Sequence, residues 1–248
     1  MSIRLVSFIL LAIHTPPVLV GWRWGAWAGF LGVLFLHALL LATIFILRCD
    51  PFGTTLRKFR TDEKAVCITI DDGPSADTEE ILSILREAGA RAIFFLVGRC
   101  VVESPGHCAR IIEQGHLVGN HTLTHPAGWF WCYLPGPQRR EIASASRAIH
   151  DACGVDARLF RPPAGFRNWF NEPTLRALGM RNVGWSARGF VAMVAVVEGV
   201  LRRILDALEP GAIILLHQGQ AHHTRLLRRL LEELKSDGWR VTIPPELE

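Results

Sequence analysis

The chain has 248 residues and a formal net charge of +4 at pH 7. This length allows one large domain with a short additional segment, and the scattered basic residues form no nucleic-acid-binding pattern. The six cysteines include no C-x-x-C pair, which excludes a zinc ribbon. The mean hydropathy is +0.24, and the excess of apolar residues lies mostly near the N-terminus.

Two apolar runs occupy this N-terminal part, and the only charged residue between Val6 and Leu47 is Arg23. The first run contains a Pro16-Pro17 pair. The second, which begins at Trp27, is long enough to cross a hydrocarbon layer of about 30 Å. A cleaved signal peptide is the alternative, but the apolar length is too great and no small-residue cleavage site follows it. The pattern therefore predicts one or two transmembrane helices.

These runs divide the chain into three predicted parts: a membrane anchor over residues 1–48, a linker over 49–62 and a domain over 63–248. Basic residues near the ends of membrane spans favour the cytoplasmic side. Here they are Arg4 before the first run and Arg48, Arg57, Lys58 and Arg60 after the second. We expect an integral protein of the cell (inner) membrane, with a weak preference for a cytoplasmic rather than a periplasmic domain.

The domain alternates between short apolar strand patterns and amphipathic helix patterns. The segments "AVCITI", "RAIFFLVG" and "AIILLHQG" are typical of buried strands, whereas "TEEILSILREAG" and "TRLLRRLLEELKSDG" are typical of helices that end at a glycine. Repeated strand–helix units of this length predict an α/β fold with a parallel sheet. About seven such units close most naturally into a barrel, whose chemistry lies at the carboxyl ends of the strands.

Polar residues follow the predicted strands at those carboxyl ends. The first strand ends at Asp71 and Asp72, the third is followed by His121 and His125, the fourth by Arg161 and the sixth by His217. Two imidazoles and one carboxylate form a zinc-type ligand set that leaves a position open for water. The second carboxylate would then be placed to accept a proton from that water.

Each of these residues also has a purely structural interpretation. The two aspartates could cap the following helix, the two histidines could lie on a helix surface, and His217 could be a hydrogen-bonded core histidine. Pro126, directly after the second histidine, favours a loop over a helix. Their joint placement at strand ends favours the metal-site interpretation.

The segments "TIDDGP", "HTLTHP", "RPPAG" and "LLH" resemble the motifs of NodB-type polysaccharide deacetylases, carbohydrate esterase family four. The resemblance extends from about Glu63 to Ile243 and keeps the order of the family's motifs. It implies a distorted (β/α)-barrel, the NodB homology domain, which binds one divalent metal, most commonly Zn²⁺.

The resemblance also implies a role for each matching residue. Asp72, His121 and His125 correspond to the metal ligands, Asp71 to the catalytic base, and Arg161 to the arginine that pairs with this base. His217 corresponds to the general acid for the leaving amine. The expected substrate-binding residues are Pro163, Ala164 with its backbone N–H at the oxyanion, Trp185, Leu215 and, in an aromatic cluster after the histidines, Trp129.

The sequence departs from the family pattern at three places. Ala164 replaces a common tyrosine, Gln218 replaces a common aspartate, and Arg188 lies in the "WSARG" segment where the family usually carries the aspartate that orients the catalytic histidine. His217 therefore lacks its expected carboxylate, and Glu198 and Asp206 are only distant replacements. The "SARG" run loosely resembles membrane-linked deformylases of lipid-carried aminosugars.

We therefore expect a membrane-anchored metal hydrolase that removes N-acetyl or similar acyl groups from an aminosugar of a cell-envelope polysaccharide or glycolipid. Two alternatives stay open: a deformylase or deacetylase of a lipid-linked sugar or aminolipid, and a metal-binding pseudoenzyme that only binds glycan. The expected partners are this glycan or glycolipid and the membrane, with no nucleic acid and no protein partner.

Overall fold

The computed structural model describes residues 3–45, 55–166, 168, 170–189, 197–220 and 222–248, without side-chain detail for 3–13, 40 and 43–45. Several features of the sequence analysis lie outside these described residues. They are the end of the second apolar run, Arg48, the first part of the predicted linker, the side chain of Arg4 and most of the segment after "SARG".

Two helices form the N-terminal part, α1 from Ile3 to Trp24 and α2 from Ala26 to Phe45. They pack against each other at two glycines, since a Cβ on Gly29 would lie only 2.8 Å from the Cα of Gly21. Large apolar side chains point outward from the pair, including Trp22, Trp27, Phe30, Leu34 and Phe35. Nevertheless, within the described ranges no helix is both long and apolar enough to cross a membrane. The structure therefore does not show the transmembrane helices that the sequence predicts.

The domain is built on a parallel sheet, as the alternating pattern predicted. Its strands among the described residues are β1 (Ala65–Gly73), β2 (Ala92–Leu96), β3 (Leu117–Asn120), β4 (Leu159–Phe160), β5 (Arg181–Asn182), β6 (Ala187–Arg188), β7 (Ala212–His217) and β8 (Arg240–Val241). Seven of them follow the order β5-β4-β3-β2-β1-β7-β6, and β8 pairs with β1 outside this path. The distorted barrel of about seven strands is confirmed as a parallel half-barrel.

The half-barrel is open between β5 and β6, and residues just before β1 partly cover this opening. Leu56 forms a bridge with Val183 after β5, and Lys58 forms a bridge with Ala212 in β7. Phe59 is buried in the inner apolar cluster of the barrel. The later part of the predicted linker is therefore packed against the barrel.

Helices cover the outside of the sheet. They are α3 (Thr78–Glu87), α4 (Gly98–Glu103), α5 (Pro105–Glu113), α6 (Pro135–Cys153), α7 (Asn171–Ala177), α8 (Val197–Asp206) and α9 (His223–Ser236). Their apolar faces pack on one face of the sheet, where each fully buried leucine or isoleucine contributes about 1.5–3 kcal/mol.

The alternation of side chains along β1 directs its polar residues inward. Val66, Ile68 and Ile70 pack toward the helices in the outer core. Because successive strand residues face opposite sides, the intervening positions, Cys67 among them, face the inside of the barrel. Asp71 continues this inner row at the carboxyl end of the strand, so the strand pattern itself brings its carboxylate to the rim.

Two cysteines meet between helices α5 and α6. The Sγ atoms of Cys108 and Cys153 lie 3.2 Å apart. The hydrogen bond from the Cys108 thiol lowers the pKa of Cys153 to about 7. By contrast, burial raises the pKa of Cys67 to about 12, as expected for a thiol inside a buried strand.

Candidate active site

The two adjacent aspartates reach the same rim because the backbone changes conformation between them. In a regular strand their side chains would point to opposite faces. The register of β1 against β2 shifts between Asp71 and Gly73, and Asp72 has a left-handed φ of 72°. Both carboxylates consequently face His121, whose Nε2 lies 3.7 Å from Asp71 Oδ2 and 3.5 Å from Asp72 Oδ1.

The two histidines lie in a tight loop directly after β3. Asn120 accepts the N–H of Thr122 at 2.8 Å, and the Thr122 hydroxyl accepts the N–H of His125 at 3.2 Å. Thr122 and His125 both have left-handed φ values, 68° and 52°, which turn the loop back on itself. This folding brings the imidazole rings of His121 and His125 to a centroid distance of 4.7 Å.

Asp72, His121 and His125 offer three ligand atoms that lie within 4.8 Å of one another. The His125 Nε2 to Asp72 Oδ1 distance is 3.3 Å. Tetrahedral ligands at about 2.0–2.2 Å from a zinc ion lie roughly 3.4 Å from each other, so the observed spacing fits such an ion. Asp72 Oδ1 is also buried without a hydrogen-bond partner among the described residues. These residues therefore fit the divalent metal that the family resemblance implies.

The ionisation of Asp72 and His125 supports the same interpretation, whereas for His121 burial is outweighed by the charges of the two aspartates, which raise its pKa. Burial raises the pKa of Asp72, but the nearby imidazoles, His121 above all, outweigh this effect and bring the pKa down to about 2. The carboxylate is therefore ionised at neutral pH and can act as a ligand. Burial and the neighbouring His121 charge lower the pKa of His125, which favours the neutral, ligating imidazole. The His121 Nδ1 lies 2.7 Å from the Arg161 carbonyl oxygen, which leaves its Nε2 facing the aspartates.

Arg161 holds Asp71 in a fully buried ion pair. Its Nη1 donates to Asp71 Oδ1 at 2.6 Å and to the Thr69 hydroxyl at 2.8 Å. Its Nε and Nη2 donate to the carbonyl oxygens of Val183 at 3.0 Å and Gly184 at 2.8 Å. With every arm of the guanidinium occupied, the orientation of the Asp71 carboxylate is fixed, which is what a general base requires.

The structure places His217 at the rim beside the aspartates. It ends β7 and lies opposite Asp71 in the parallel register. It is also near enough to the ligand cluster to act electrostatically on the pKa of Asp72 and His125. Of the distant replacement carboxylates, Glu198 is exposed and pairs with Arg225 at 3.2 Å, so it is engaged on the outer surface.

Sequence reasoning missed Asp77, a carboxylate close to the loop that follows His217. Both of its oxygens accept the N–H of Gly219, at 3.2 and 3.1 Å. Asp77 and His217 both influence the pKa of buried His223, which burial lowers to about 4. In the sequence, Asp77 only precedes a helix pattern, so no local signal connects it with a residue more than a hundred positions later.

The remaining predicted residues have different surroundings. Ala164 has a left-handed φ of 54° in the short turn Pro163–Gly165. The ring of Trp185 packs over Gly165, where a Cβ would lie 2.2 Å from Trp185 Cη2. Leu215 is buried in β7, two residues before His217, whereas Trp129 is 68% exposed. Trp185 and the turn therefore lie beside the Arg161 guanidinium, whose Cζ is 5.6 Å from the Trp185 ring. Substrate binding by Trp129 stays a prediction.

The parallel half-barrel with paired carboxylates and imidazoles at its rim defines a hydrolase of the carbohydrate N-deacetylase class. Residues 58–183 match the family model described as polysaccharide deacetylase. This match covers just over half of the chain, and the chain belongs to the polysaccharide deacetylase family, carbohydrate esterase family 4.

The chain is similar to several known members of this family. It is 28% identical over 207 residues to a peptidoglycan-N-acetylglucosamine deacetylase of Bacillus cereus, covering 80% of this chain and 94% of the relative. It is 34% identical over 165 residues to a chitooligosaccharide deacetylase of Azorhizobium caulinodans, covering 64% of this chain and 75% of the relative.

A solved structure of the family shares the fold. The Bacillus anthracis protein BA3943, described as a CE4 family pseudoenzyme, has a TM-score of 0.72 and 26% identity, covering 80% of this chain and 70% of that chain. A mutant of the same protein is described as having restored enzymatic activity. The fold is thus compatible with both active and inactive members.

Replacing His125 with alanine is expected to lower the amount of bound zinc sharply, because two remaining protein ligands are too few for a stable site. Metal content of the purified variant, measured by plasma mass spectrometry after dialysis, checks this. His150→Ala is a matched control, since that side chain is half-exposed and pairs with Asp156 on the surface. Full zinc occupancy in the His125→Ala variant would contradict the assignment of the metal site.

Proposed function

We propose that this protein is a metal-dependent deacetylase that removes N-acetyl groups from an aminosugar of a cell-envelope polysaccharide or glycolipid. The observation that carries the proposal is the buried Asp71–Arg161 pair, 2.6 Å apart, directly beside the Asp72, His121 and His125 cluster. A fixed carboxylate next to a set of metal ligands is what amide hydrolysis by water requires.

The side chains divide the reaction among them. Asp72, His121 and His125 would hold a divalent ion, which would supply Lewis acidity and lower the pKa of water. Asp71 accepts a proton from the attacking water, and Arg161 keeps the carboxylate aimed. The backbone N–H of Ala164 donates to the oxygen that gains charge as the amide carbonyl becomes tetrahedral. His217 gives a proton to the leaving nitrogen, so that the products are acetate and a free amino sugar.

The test is to incubate purified metal-loaded protein with chitooligosaccharides, peptidoglycan fragments and an N-formyl aminosugar, and to quantify acetate and formate. Release of acetate that depends on Asp71 supports the proposal. Formate as the only product would favour the deformylase alternative instead. Glycan binding without release of either acid would identify a pseudoenzyme and overturn the proposal.

The deformylase or lipid-linked alternative has support of its own. The outward apolar side chains of α1 and α2, among them Trp22, Trp27 and Phe35, are unusual for a surface in water. They suit a substrate that is itself held at a membrane. Formyl and acetyl groups differ by one methyl group, so the same rim can serve both reactions.

The same helix pair supports attachment to the inner membrane. We propose that α1 and α2 attach the chain to the membrane through their exposed apolar side chains, and that the basic flank, including Arg57 and Lys58, keeps the catalytic domain in the cytoplasm. A C-terminal alkaline phosphatase fusion should then be inactive, because this reporter needs an oxidising compartment, and a C-terminal green fluorescent protein fusion should be bright. The reverse pattern would place the domain in the periplasm.

A further inference from the structure

The loop that carries the two histidines, residues 121–125, has a conformation that needs support from its surroundings. Thr122 and His125 both have left-handed φ values, which residues other than glycine rarely adopt. Such residues persist only where the surrounding structure holds them in place. The contacts around this loop therefore decide how well its ligands are prepared for a metal ion.

The first half of the loop is held by burial and by the backbone of α4. His121 is only 2% exposed. The backbone N–H of Gly98 donates to the Thr122 carbonyl oxygen at 2.9 Å, and this contact involves no side chain. The backbone N–H of Arg99 donates to the Leu123 carbonyl oxygen at 2.8 Å in the same way. These contacts keep His121 in place whatever side chains α4 carries.

The second half of the loop is held by a carboxylate of α6. Glu141 Oε2 accepts the backbone N–H of Thr124 at 2.9 Å, and Glu141 Oε1 accepts the Thr124 hydroxyl at 2.9 Å. His125 follows directly, and its side chain is 29% exposed. Because packing constrains His125 less than it constrains His121, the grip of Glu141 on the preceding residue matters more for its position.

Glu141 lies on a part of α6 that is itself fixed against the sheet. Asn120, at the end of β3, donates through Nδ2 to the Ile142 carbonyl oxygen and to Ser146 Oγ, both at 2.8 Å. Ile142 is fully buried. The backbone next to Glu141 is therefore tied to the strand from which the loop starts, so the carboxylate has a defined position relative to the histidines.

We propose that Glu141 is a positioning residue for the metal site, which holds Thr124, and through it His125, in the conformation that binds the ion. The inference rests on the proposed function, since it concerns the metal site of the same reaction. The apparent Kd equals the intrinsic Kd divided by the fraction of the protein that is ready to bind. A loop that Glu141 orders before the metal arrives thus keeps this fraction high.

The test measures the zinc Kd of the full chain by competition with a chromophoric chelator. Glu141→Ala should raise the Kd by about 10- to 100-fold, the usual effect of losing a group that orients a metal ligand. At saturating zinc, kcat should stay close to the wild-type value, because the bound metal restores the loop conformation. Asp151→Ala removes an exposed carboxylate from the same helix and should leave the Kd unchanged.

Two further variants separate positioning from loss of charge, and they keep the size of the side chain should Glu141→Ala fail to fold. Glu141→Gln loses the charge but keeps an oxygen that accepts from Thr124, so its Kd should lie between those of the wild type and Glu141→Ala. Thr124→Val removes the hydroxyl donor and should weaken zinc binding in the wild-type chain. It should have almost no further effect in the Glu141→Ala chain, because both changes remove the same contact.

A wild-type Kd in Glu141→Ala would overturn this inference and leave the proposed function intact. It would also be overturned by a Glu141→Gln variant as weak as Glu141→Ala, which would assign the effect to charge. Additive effects of Thr124→Val and Glu141→Ala would overturn it as well, since Glu141 would then not act through Thr124. A wild-type chain that binds no zinc would instead refute the metal site on which the proposed function depends.

Discussion

Replacing Asp71 with asparagine is expected to lower kcat by at least ~100-fold while the metal stays bound. Asparagine keeps the size of the side chain but cannot accept a proton from water, and loss of a general base typically costs 10²- to 10⁴-fold. The metal-ligand cluster of Asp72, His121 and His125 does not include Asp71, so metal content should be nearly unchanged. The effect should therefore fall on turnover rather than on metal binding.

Steady-state acetate release, metal content and circular dichroism on the same preparation check this expectation. Asp156→Asn is a suitable control, because its side chain is 81% exposed and pairs only at the surface with His150. An Asp71→Asn variant that retains metal and turns over at close to the wild-type rate would show that another group is the base.

The second large effect is expected on stability. Arg161→Ala should lower the free energy of unfolding by about 3–5 kcal/mol, since removing one partner of a buried ion pair leaves the other charge uncompensated. Asp71 is only 3% exposed, so water cannot replace the guanidinium. The carbonyl groups of Val183 and Gly184 and the hydroxyl group of Thr69 lose the donors described above as well.

Urea unfolding followed by tryptophan fluorescence measures this loss. Arg158→Ala is the matched control, because Arg158 is exposed three residues earlier in the chain and surface substitutions usually change stability by less than about 0.5 kcal/mol. Arg161→Lys should recover part of the stability, as it restores the charge but not the fork of donors. A loss below about 1 kcal/mol in Arg161→Ala would mean that the pair contributes little.

The sequence predicts the rim of the site well for a simple geometric reason. Parallel strands end at the same edge of a sheet, so residues at or directly after the ends of different strands, such as Asp72, His121 and His217, must converge. The fold prediction depends on the same regular pattern. Because strand and helix periodicities are local, they can be detected in one stretch of sequence at a time.

Other features depend on contacts between distant loops and leave no local pattern. The approach of Asp77 to the backbone of Gly219 is one of them. Another is the packing of Gln218 on Gly73, where a Cβ would lie 1.7 Å from the amide nitrogen of Gln218. Leu56 and Lys58, in a segment that looks like a linker, help to close the barrel opening. None of these contacts follows from periodicity, since each depends on how the folded loops meet.

The redox state of the close thiols of Cys108 and Cys153 depends on the compartment in which the domain folds. With its pKa lowered to about 7, Cys153 is partly thiolate and reactive at neutral pH. In an oxidising compartment, exchange with a disulfide donor would join the pair and tie α5 to α6, whereas cytoplasmic reductants would keep both thiols free. Rapid alkylation of intact cells followed by peptide mass analysis therefore measures whether Cys108 and Cys153 are joined. This result identifies the compartment without any fusion to the chain.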